Sequence, residues 1–193
     1  MDSINRRLFN VLLEKNKHYL KGIVLNAGAG KKHYVFGKKT VNIDFVKFPG
    51  IDVVSNLEKI PFKNNYFDSV VCNFVFEHVK NPFLVCNELK RVLKPKGTIL
   101  IAVPFMQRFH ADPNDYWRFT DEGIKEMLGK NFVIIKNCSI GGRFCFLAAF
   151  FEEHNFPRFL IEFFFNCALF LESKFEKNQR AWTQGFFIIA KKL

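Results

Sequence analysis

The stretch Ile23-Val24-Leu25-Asn26-Ala27-Gly28-Ala29-Gly30 restricts this chain more than any other. An apolar run ends at a polar residue and opens into a small, glycine-bearing loop. Fourteen positions after Gly30 stands Asp44, closing a second apolar run, Thr40-Val41-Asn42-Ile43. Glycine lets the backbone approach a ligand with no Cβ in the way. An acid at the next strand end accepts hydrogen bonds from ribose hydroxyls. Strand, Gly-x-Gly, strand, acid therefore describes a way to hold an adenosine-type cofactor. A plain strand-turn-strand connection is the competing reading.

The details narrow the cofactor. A dinucleotide fingerprint needs a third glycine where this chain has His33. No Lys-Ser/Thr follows at phosphate-loop spacing, so a nucleoside triphosphate site is unsupported. Only nine residues lie between Gly30 and Thr40, room for about two helical turns. The crossover helix is expected to be short or absent, which suits a cofactor without a pyrophosphate.

The rest of the chain alternates strands with helices, which predicts an open α/β sheet with ligands at the carboxyl ends of its strands. A helix over 3–20 is capped by Ser3. Strands follow at 22–27 and 40–45, with a short extended piece at 51–54 and a buried strand at 69–72. A helix over 82–94 starts at Asn81-Pro82 and stops at Pro95-Lys96-Gly97. Then come a strand at 98–103, a polar aromatic loop from His110 to Thr120, a helix at 121–129, a strand at 132–135 and a last strand at 185–190. Five cysteines without a Cys-x-x-Cys pair suggest reduced, buried thiols in a cytoplasmic protein. No apolar run approaches the length that spans a bilayer.

Taken together, these motifs look familiar. The Val24–Gly30 loop, Asn42-Ile43-Asp44, Ile60-Pro61-Phe62 through Val71, Phe76-Glu77-His78-Val79, and Glu88-Leu89-Lys90-Arg91-Val92-Leu93-Lys94-Pro95-Lys96-Gly97 resemble class I S-adenosylmethionine-dependent methyltransferases in order and spacing. The branch with a short first crossover is the nearest. His110-x-Asp112-Pro113-x-Asp115-Tyr116-Trp117-Arg118-Phe119-Thr120 is similar to a segment of members associated with cell-surface glycans. The resemblance implies a Rossmann-like three-layer α/β/α sandwich with a mostly parallel seven-stranded sheet and an antiparallel last strand. It implies one domain over 1–193: an N-terminal helix (1–20), a cofactor core (22–104), and a substrate loop with apolar helices and final strands (105–193).

It also implies S-adenosylmethionine as cofactor. Asn26, Ala27, Gly28 and Gly30 would lie along its methionine part, Asp44 would hold the ribose, Asn56 and Leu57 would border the adenine, and Asn73 and Phe74 the methionine end. Asn56 stands where the family usually has an Asp, Lys31 and Lys32 follow the loop where Thr-Gly is common, and Lys96 replaces a glycine.

Methyl transfer from a sulfonium is an in-line displacement, so the protein must align the partners and take a proton from a hydroxyl acceptor. Histidine suits that task near neutral pH. His110 is the expected base, with Asp112 or Asp115 as orienter; the alternative is a structural cluster of His110, Asp115 and Arg118. His78, Tyr116, Trp117 and Arg118 are expected to meet the substrate, the aromatics facing a sugar ring and the arginine gripping a phosphate or carboxylate. No metal site is expected, because His33 and the cysteines lack ligand spacing.

The apolar block 144–171 has three readings: core helices behind the sheet, a pocket wall for a lipid-linked acceptor, or an interfacial helix flanked by Arg158, Lys174 and Lys177. Its even apolar distribution argues for burial. The net charge of +11 points to an anionic partner, or to a basic solubilising surface alone. The expected function is methylation of a small or glycan-type acceptor, phosphate-bearing or lipid-linked, with peripheral membrane contact open and the oligomeric state undetermined. The rivals are a nucleic-acid methyltransferase, disfavoured because Asn73-Phe74-Val75-Phe76 lacks the prolines of amino-methylating enzymes, and a non-catalytic module that keeps the fold.

Overall fold

The computed structural model describes residues 3–31, 34–111, 113–153, 156–175 and 179–193. Lys32, His33, Asp112, His154 and Lys177 lie outside them. Twelve elements run α1 (Ile4–Asn16), β1 (Ile23–Ala27), β2 (Lys39–Asp44), β3 (Val53–Val54), β4 (Phe67–Asn73), α2 (Pro82–Val92), β5 (Leu93–Pro104), α3 (Asp121–Leu128), β6 (Phe132–Ile140), α4 (Arg143–Glu153), α5 (Arg158–Phe175) and β7 (Gly185–Lys192).

The strands form one seven-stranded sheet in the order β3-β2-β1-β4-β5-β7-β6. β7 is antiparallel to both neighbours and the other pairings are parallel. The chain winds outward from β1 to β3, then returns to β4 beside β1. Their carboxyl ends therefore flank the point where the strand order reverses, and a crevice opens there.

Strand periodicity builds the three layers. Along β5, Ile99, Ile101 and Val103 face a core that includes Val85 and Leu89 of α2 and Ile124 of α3. The alternate residues Leu100 and Ala102 face a second core with Phe9 and Leu13 of α1. β7 divides in the same way, with Phe186 and Ile188 on one face and Phe187 and Ile189 on the other. These strands read as continuous apolar runs because both faces are covered. Ser3 caps α1 by accepting from the Arg6 N–H, and Thr120 caps α3 by accepting from the Gly123 N–H.

Three segments differ from the sequence reading. Helix α2 stops at Val92, and residues 94–97 bulge between Leu93, which pairs with Phe67, and Thr98, which pairs with Ser69. Lys96 takes a left-handed φ of 62° in that bulge, a conformation that suits the glycine of the resembling family. β6 runs on to Ile140 through polar Lys136, Asn137 and Ser139, as an edge strand can.

The block 144–171 is the largest correction. It is a helical hairpin, α4 against α5, that among the described residues buries only Cys145, Ala148, Phe165 and Ala168 in a small cluster with Ile4 of α1. Leu147, Phe150, Phe159, Phe163, Leu169 and Phe170 are exposed, and no described residue of the block lines the crevice. The core reading holds for the inner side of the hairpin alone, and the pocket-wall reading does not hold for the described residues. Apolar residues surround both helices because the hairpin has an inner contact and a bare outer side. The exposed apolar side reaches no membrane-spanning length: no described helix is long and apolar enough to cross a bilayer.

One buried acid fastens the hairpin. The Glu172 carboxylate on α5 accepts the Gly142 and Cys145 N–H groups at 2.7 and 2.9 Å and the Cys145 thiol at 3.2 Å. It satisfies donors at the start of α4 that have no helical partner. Arg7 of α1 reaches Glu162 with both carboxylate oxygens at 2.8 and 2.9 Å. Replacing Glu172 by Ala strands two buried N–H groups, at a cost of about 2–3 kcal/mol. Thermal denaturation followed by circular dichroism should show a midpoint lower by roughly 4–10 °C; an unchanged midpoint contradicts this fastening.

Candidate active site

The loop after β1 folds onto the end of β2. The Gly28 and Ala29 N–H groups donate to the Ile43 carbonyl at 2.9 and 3.1 Å. The Asp44 carboxylate accepts the Gly30 N–H at 2.8 Å on one oxygen and the Val46 N–H at 3.0 Å on the other. Gly28 has a φ of 67°, and a Cβ there would sit 2.4 Å from Val75 Cγ2. The left-handed φ and the Val75 side chain thus both call for glycine at 28, whereas a Cβ at Gly30 would meet nothing within 4 Å and would project into open space.

A cavity of about 820 Å³ opens above this loop, a volume in the range of small-molecule sites. Asn26, Gly28, Gly30, Asp44, Asn56, Leu57, Asn73 and Phe74 line it, as do His78, His110 and Tyr116. Ala27 does not: it is fully buried behind the loop. Asn26 is held by its amide N–H to Asn42 Oδ1 at 2.9 Å. Asn56 Oδ1 accepts the Glu58 N–H at 2.9 Å, which leaves its NH₂ as the free donor. Asn73 Oδ1 is buried without a hydrogen-bond partner. Phe74 turns the chain with a φ of 53° and packs edge-on against Phe9. Lys31 lies over the Phe48 ring at 5.5 Å.

The loop after β5 is tied to the loop after β4. The Tyr116 N–H donates to the Glu77 carbonyl at 2.7 Å, and the Trp117 indole N–H to the Val79 carbonyl at 2.9 Å. Inside the β5 loop, Arg118 is fully engaged. It donates to both Asp115 oxygens and to the Gln107, Arg108 and Trp117 carbonyls. That exhausts the five N–H donors of a guanidinium, so Arg118 has none left to grip a substrate anion. Asp115 is buried, accepts the His110 N–H at 2.8 Å, and serves to shape the loop. Trp117 has its indole turned to Val79 and does not line the cavity. Asp112 lies outside the described residues.

The base candidate stands in an arrangement that chain spacing conceals. Glu77 is 0% exposed, and neither carboxylate oxygen has a partner. Burial pushes its carboxyl up to about 8, with the Asp115 charge adding to the rise. His78 Nε2 and His110 Nε2 lie 3.8 and 3.9 Å from Glu77 Oε1, and the two rings meet edge-to-face at 5.2 Å. His78 Nδ1 is 2.6 Å from the Asn114 carbonyl and His110 Nδ1 3.1 Å from that of Arg108. A carbonyl only accepts, so each Nδ1 carries a proton, and in the neutral ring each Nε2 then keeps its lone pair. Arg6, Asn5 and Ser3 of the first helical turn also line the cavity. The helix read over 3–20 was given no part in the site from the sequence; the adjacent Arg6-Arg7 was the available signal.

A profile described as "Methyltransferase domain" matches residues 27–101. Over residues 27–101 the chain resembles methyltransferases in sequence, and its fold is that of class I methyltransferase structures. An uncharacterised protein of Methanocaldococcus jannaschii is 31% identical over 104 residues, covering 49% of this chain and 46% of that protein. The ubiquinone/menaquinone biosynthesis C-methyltransferase of Coxiella burnetii is 35% identical over 60 residues, 31% of this chain and 21% of the relative. These matches span at most about half the length of those relatives. The Burkholderia thailandensis 1,6-didemethyltoxoflavin-N1-methyltransferase, solved with S-adenosylhomocysteine, superposes with a TM-score of 0.62 at 15% identity, covering 98% of this chain and 78% of that one.

The residues lining this cavity fit S-adenosylmethionine. An open space beside Gly30, a carboxylate at the end of the next strand and an orphaned amide oxygen at Asn73 are groups that a nucleoside with an amino-acid end could use.

The ion pair that shapes the β5 loop has a pH signature. Hydrogen bonding from Arg118 holds the Asp115 carboxyl down at about 2 against the opposing effect of burial. A folded value below the unfolded one means the pair stabilises above about pH 4 and is lost as pH falls toward 2. In a Trp182→Phe background, Trp117 fluorescence should stay constant from pH 7 to about 4.5 and change below about 3. In Arg118→Ala the buried carboxylate loses its countercharge, and the change should move upward into the range of about pH 4–6. Identical titrations for the two proteins contradict the clamp.

Proposed function

We propose that this chain is an S-adenosylmethionine-dependent methyltransferase that transfers a methyl group to an oxygen of a small or glycan-type acceptor. The observation that carries the reading is the Asp44-braced glycine loop and an imidazole with a free Nε2 at one cavity. S-adenosylmethionine supplies an activated methyl group, its sulfur leaving as a neutral thioether. Asp44 keeps lone pairs for the ribose hydroxyls beyond those used by Gly30 and Val46. The Asn56 NH₂ meets the base edge, and Asn73 Oδ1 accepts from the ammonium of the methionine end. Tyr116 offers a ring face to a sugar. Arg6, Lys31 and Lys80 at the cavity favour a phosphate-bearing acceptor.

His110 is the base in this reading. Its Nε2 takes the acceptor proton while the Arg108 carbonyl holds the other nitrogen. Calorimetry with S-adenosylhomocysteine tests the cofactor assignment. Asp44→Ala should weaken binding by at least about 30-fold, the equivalent of about 2 kcal/mol. His110→Ala should bind as the unaltered protein does, yet lose about 10²–10⁴-fold in methyl transfer from radiolabelled cofactor into a cell-envelope extract. A folded protein that binds no S-adenosylhomocysteine at millimolar concentration overturns the reading.

A second observation bears on where the enzyme acts. The outer side of the α4–α5 hairpin exposes Phe150, Phe159, Phe163 and Phe170 beside the exposed cations Arg158 and Lys174, in a chain of net charge +11. We infer that this side rests on an anionic bilayer surface, the aromatics at the headgroup boundary and the cations over the lipid phosphates. The protein should float with phosphatidylglycerol vesicles at low salt and not with phosphatidylcholine vesicles. Phe159→Ser/Phe163→Ser/Phe170→Ser should abolish flotation. Flotation unaffected by the triple substitution, or a dimer by gel filtration that the substitution dissolves, contradicts a bilayer contact here.

A further inference from the structure

The trio Glu77, His78 and His110 is assembled from two loops and has more acceptor capacity than the protein uses. Its ligand atoms lie within 4.8 Å of one another. Both Glu77 oxygens are buried and unpartnered, an expensive arrangement for a carboxyl unless something else meets it. Each imidazole is fixed by a backbone carbonyl on Nδ1, so its Nε2 lone pair faces the same Glu77 Oε1. That is the outer-sphere pattern that orients metal-ligating histidines. The two Nε2–Oε1 separations exceed the roughly 3.3 Å spacing of ligands around a tetrahedral zinc by about half an ångström, within reach of a side-chain adjustment.

The charge around the trio permits a cation. Arg6, Arg118 and Asp115 are the groups that act electrostatically on Glu77. Arg118 is neutralised by its two-oxygen contact with Asp115, which leaves Arg6 as the one cation among these three that opposes an ion. All three ligand atoms are nitrogen or carboxylate oxygen, and the two histidines border the cavity.

We propose that Glu77, His78 and His110 bind one divalent first-row transition-metal ion, of the Zn²⁺, Fe²⁺ or Mn²⁺ class, at the acceptor end of the cofactor cavity. Two imidazoles and a carboxylate suit these ions better than Mg²⁺ or Ca²⁺, which prefer all-oxygen shells. Three protein ligands leave positions open toward the cavity. The role of the ion rests on the methyltransferase reading: it lowers the pKa of an acceptor hydroxyl, the proton leaves to solvent, the oxygen bonds to the methyl carbon, and the sulfur keeps the electron pair of the broken S–C bond. His110 is then a ligand rather than the base.

The test is a titration of the metal-stripped protein with Co²⁺ and Zn²⁺, with S-adenosylhomocysteine binding measured on the same samples. One equivalent of Co²⁺ should bind and develop visible d–d absorption, and Zn²⁺ should displace it. His110→Ala and His78→Ala should each weaken Zn²⁺ binding by at least about 100-fold and keep their S-adenosylhomocysteine affinity, which also reports their folding. Glu77→Gln, of nearly the same volume, should lose the Co²⁺ spectrum. Failure to bind Co²⁺, Zn²⁺ or Mn²⁺ by a protein that binds S-adenosylhomocysteine overturns the metal site and leaves His110 as the base. Metal binding that survives both histidine substitutions overturns the ligand assignment. Absence of S-adenosylhomocysteine binding in a folded protein that does bind Co²⁺ overturns the methyltransferase reading while the metal site stands.

Discussion

The carboxylate of Asp44 is the joint on which the cofactor half turns. It stands at the end of β2 and accepts an N–H from the β1 loop and another from its own following turn. Gly28 and Ala29 add two bonds to the carbonyl just before it. The loop therefore belongs to the sheet rather than to solvent, and the crevice at the strand reversal inherits the rigidity of five parallel strands. Charge-assisted bonds of this kind are worth more than neutral ones, and the acid that braces the loop is also the one that the proposed function sets against a ribose. Shape and recognition rest on one side chain.

The other half of the cavity is built by a different rule. The loop after β5 has little apolar substance of its own, and Arg118 organises it by spending every donor on Asp115 and three carbonyls. That scaffold presses Asn114 and Tyr116 onto the β4 loop and brings His110 within reach of Glu77. Glu77 is consequently desolvated with no proton donor beside it. Unpaired buried acids are uncommon and concentrate where chemistry is done.

The sheet was legible because its strands are nearly uniform runs of β-branched and aliphatic residues, and because Gly28, Gly30 and Asp44 keep the spacing of a nucleoside site. The cofactor-side residues other than Ala27 do line the cavity, since local strand ends decide their position. The substrate side was read less well. The sequence left open whether His110, Asp115 and Arg118 meet a substrate or form a structural cluster, and the folded loop shows Asp115 and Arg118 satisfying each other. Glu77 and His110 are 33 positions apart, so no local pattern joins them. The hairpin misled for a physical reason: apolar residues around the whole circumference usually mean burial, but here one side packs and the other stays bare.

The most direct test of the account is a crystal structure of the protein grown with S-adenosylhomocysteine. The account predicts the ribose hydroxyls against Asp44, the adenine beside Asn56 and Leu57, and the amino-acid end at Asn73 Oδ1, with the Gly28–Gly30 backbone unmoved. A nucleoside bound elsewhere, or a glycine loop that must unfold from Asp44 to admit it, would contradict the central claim.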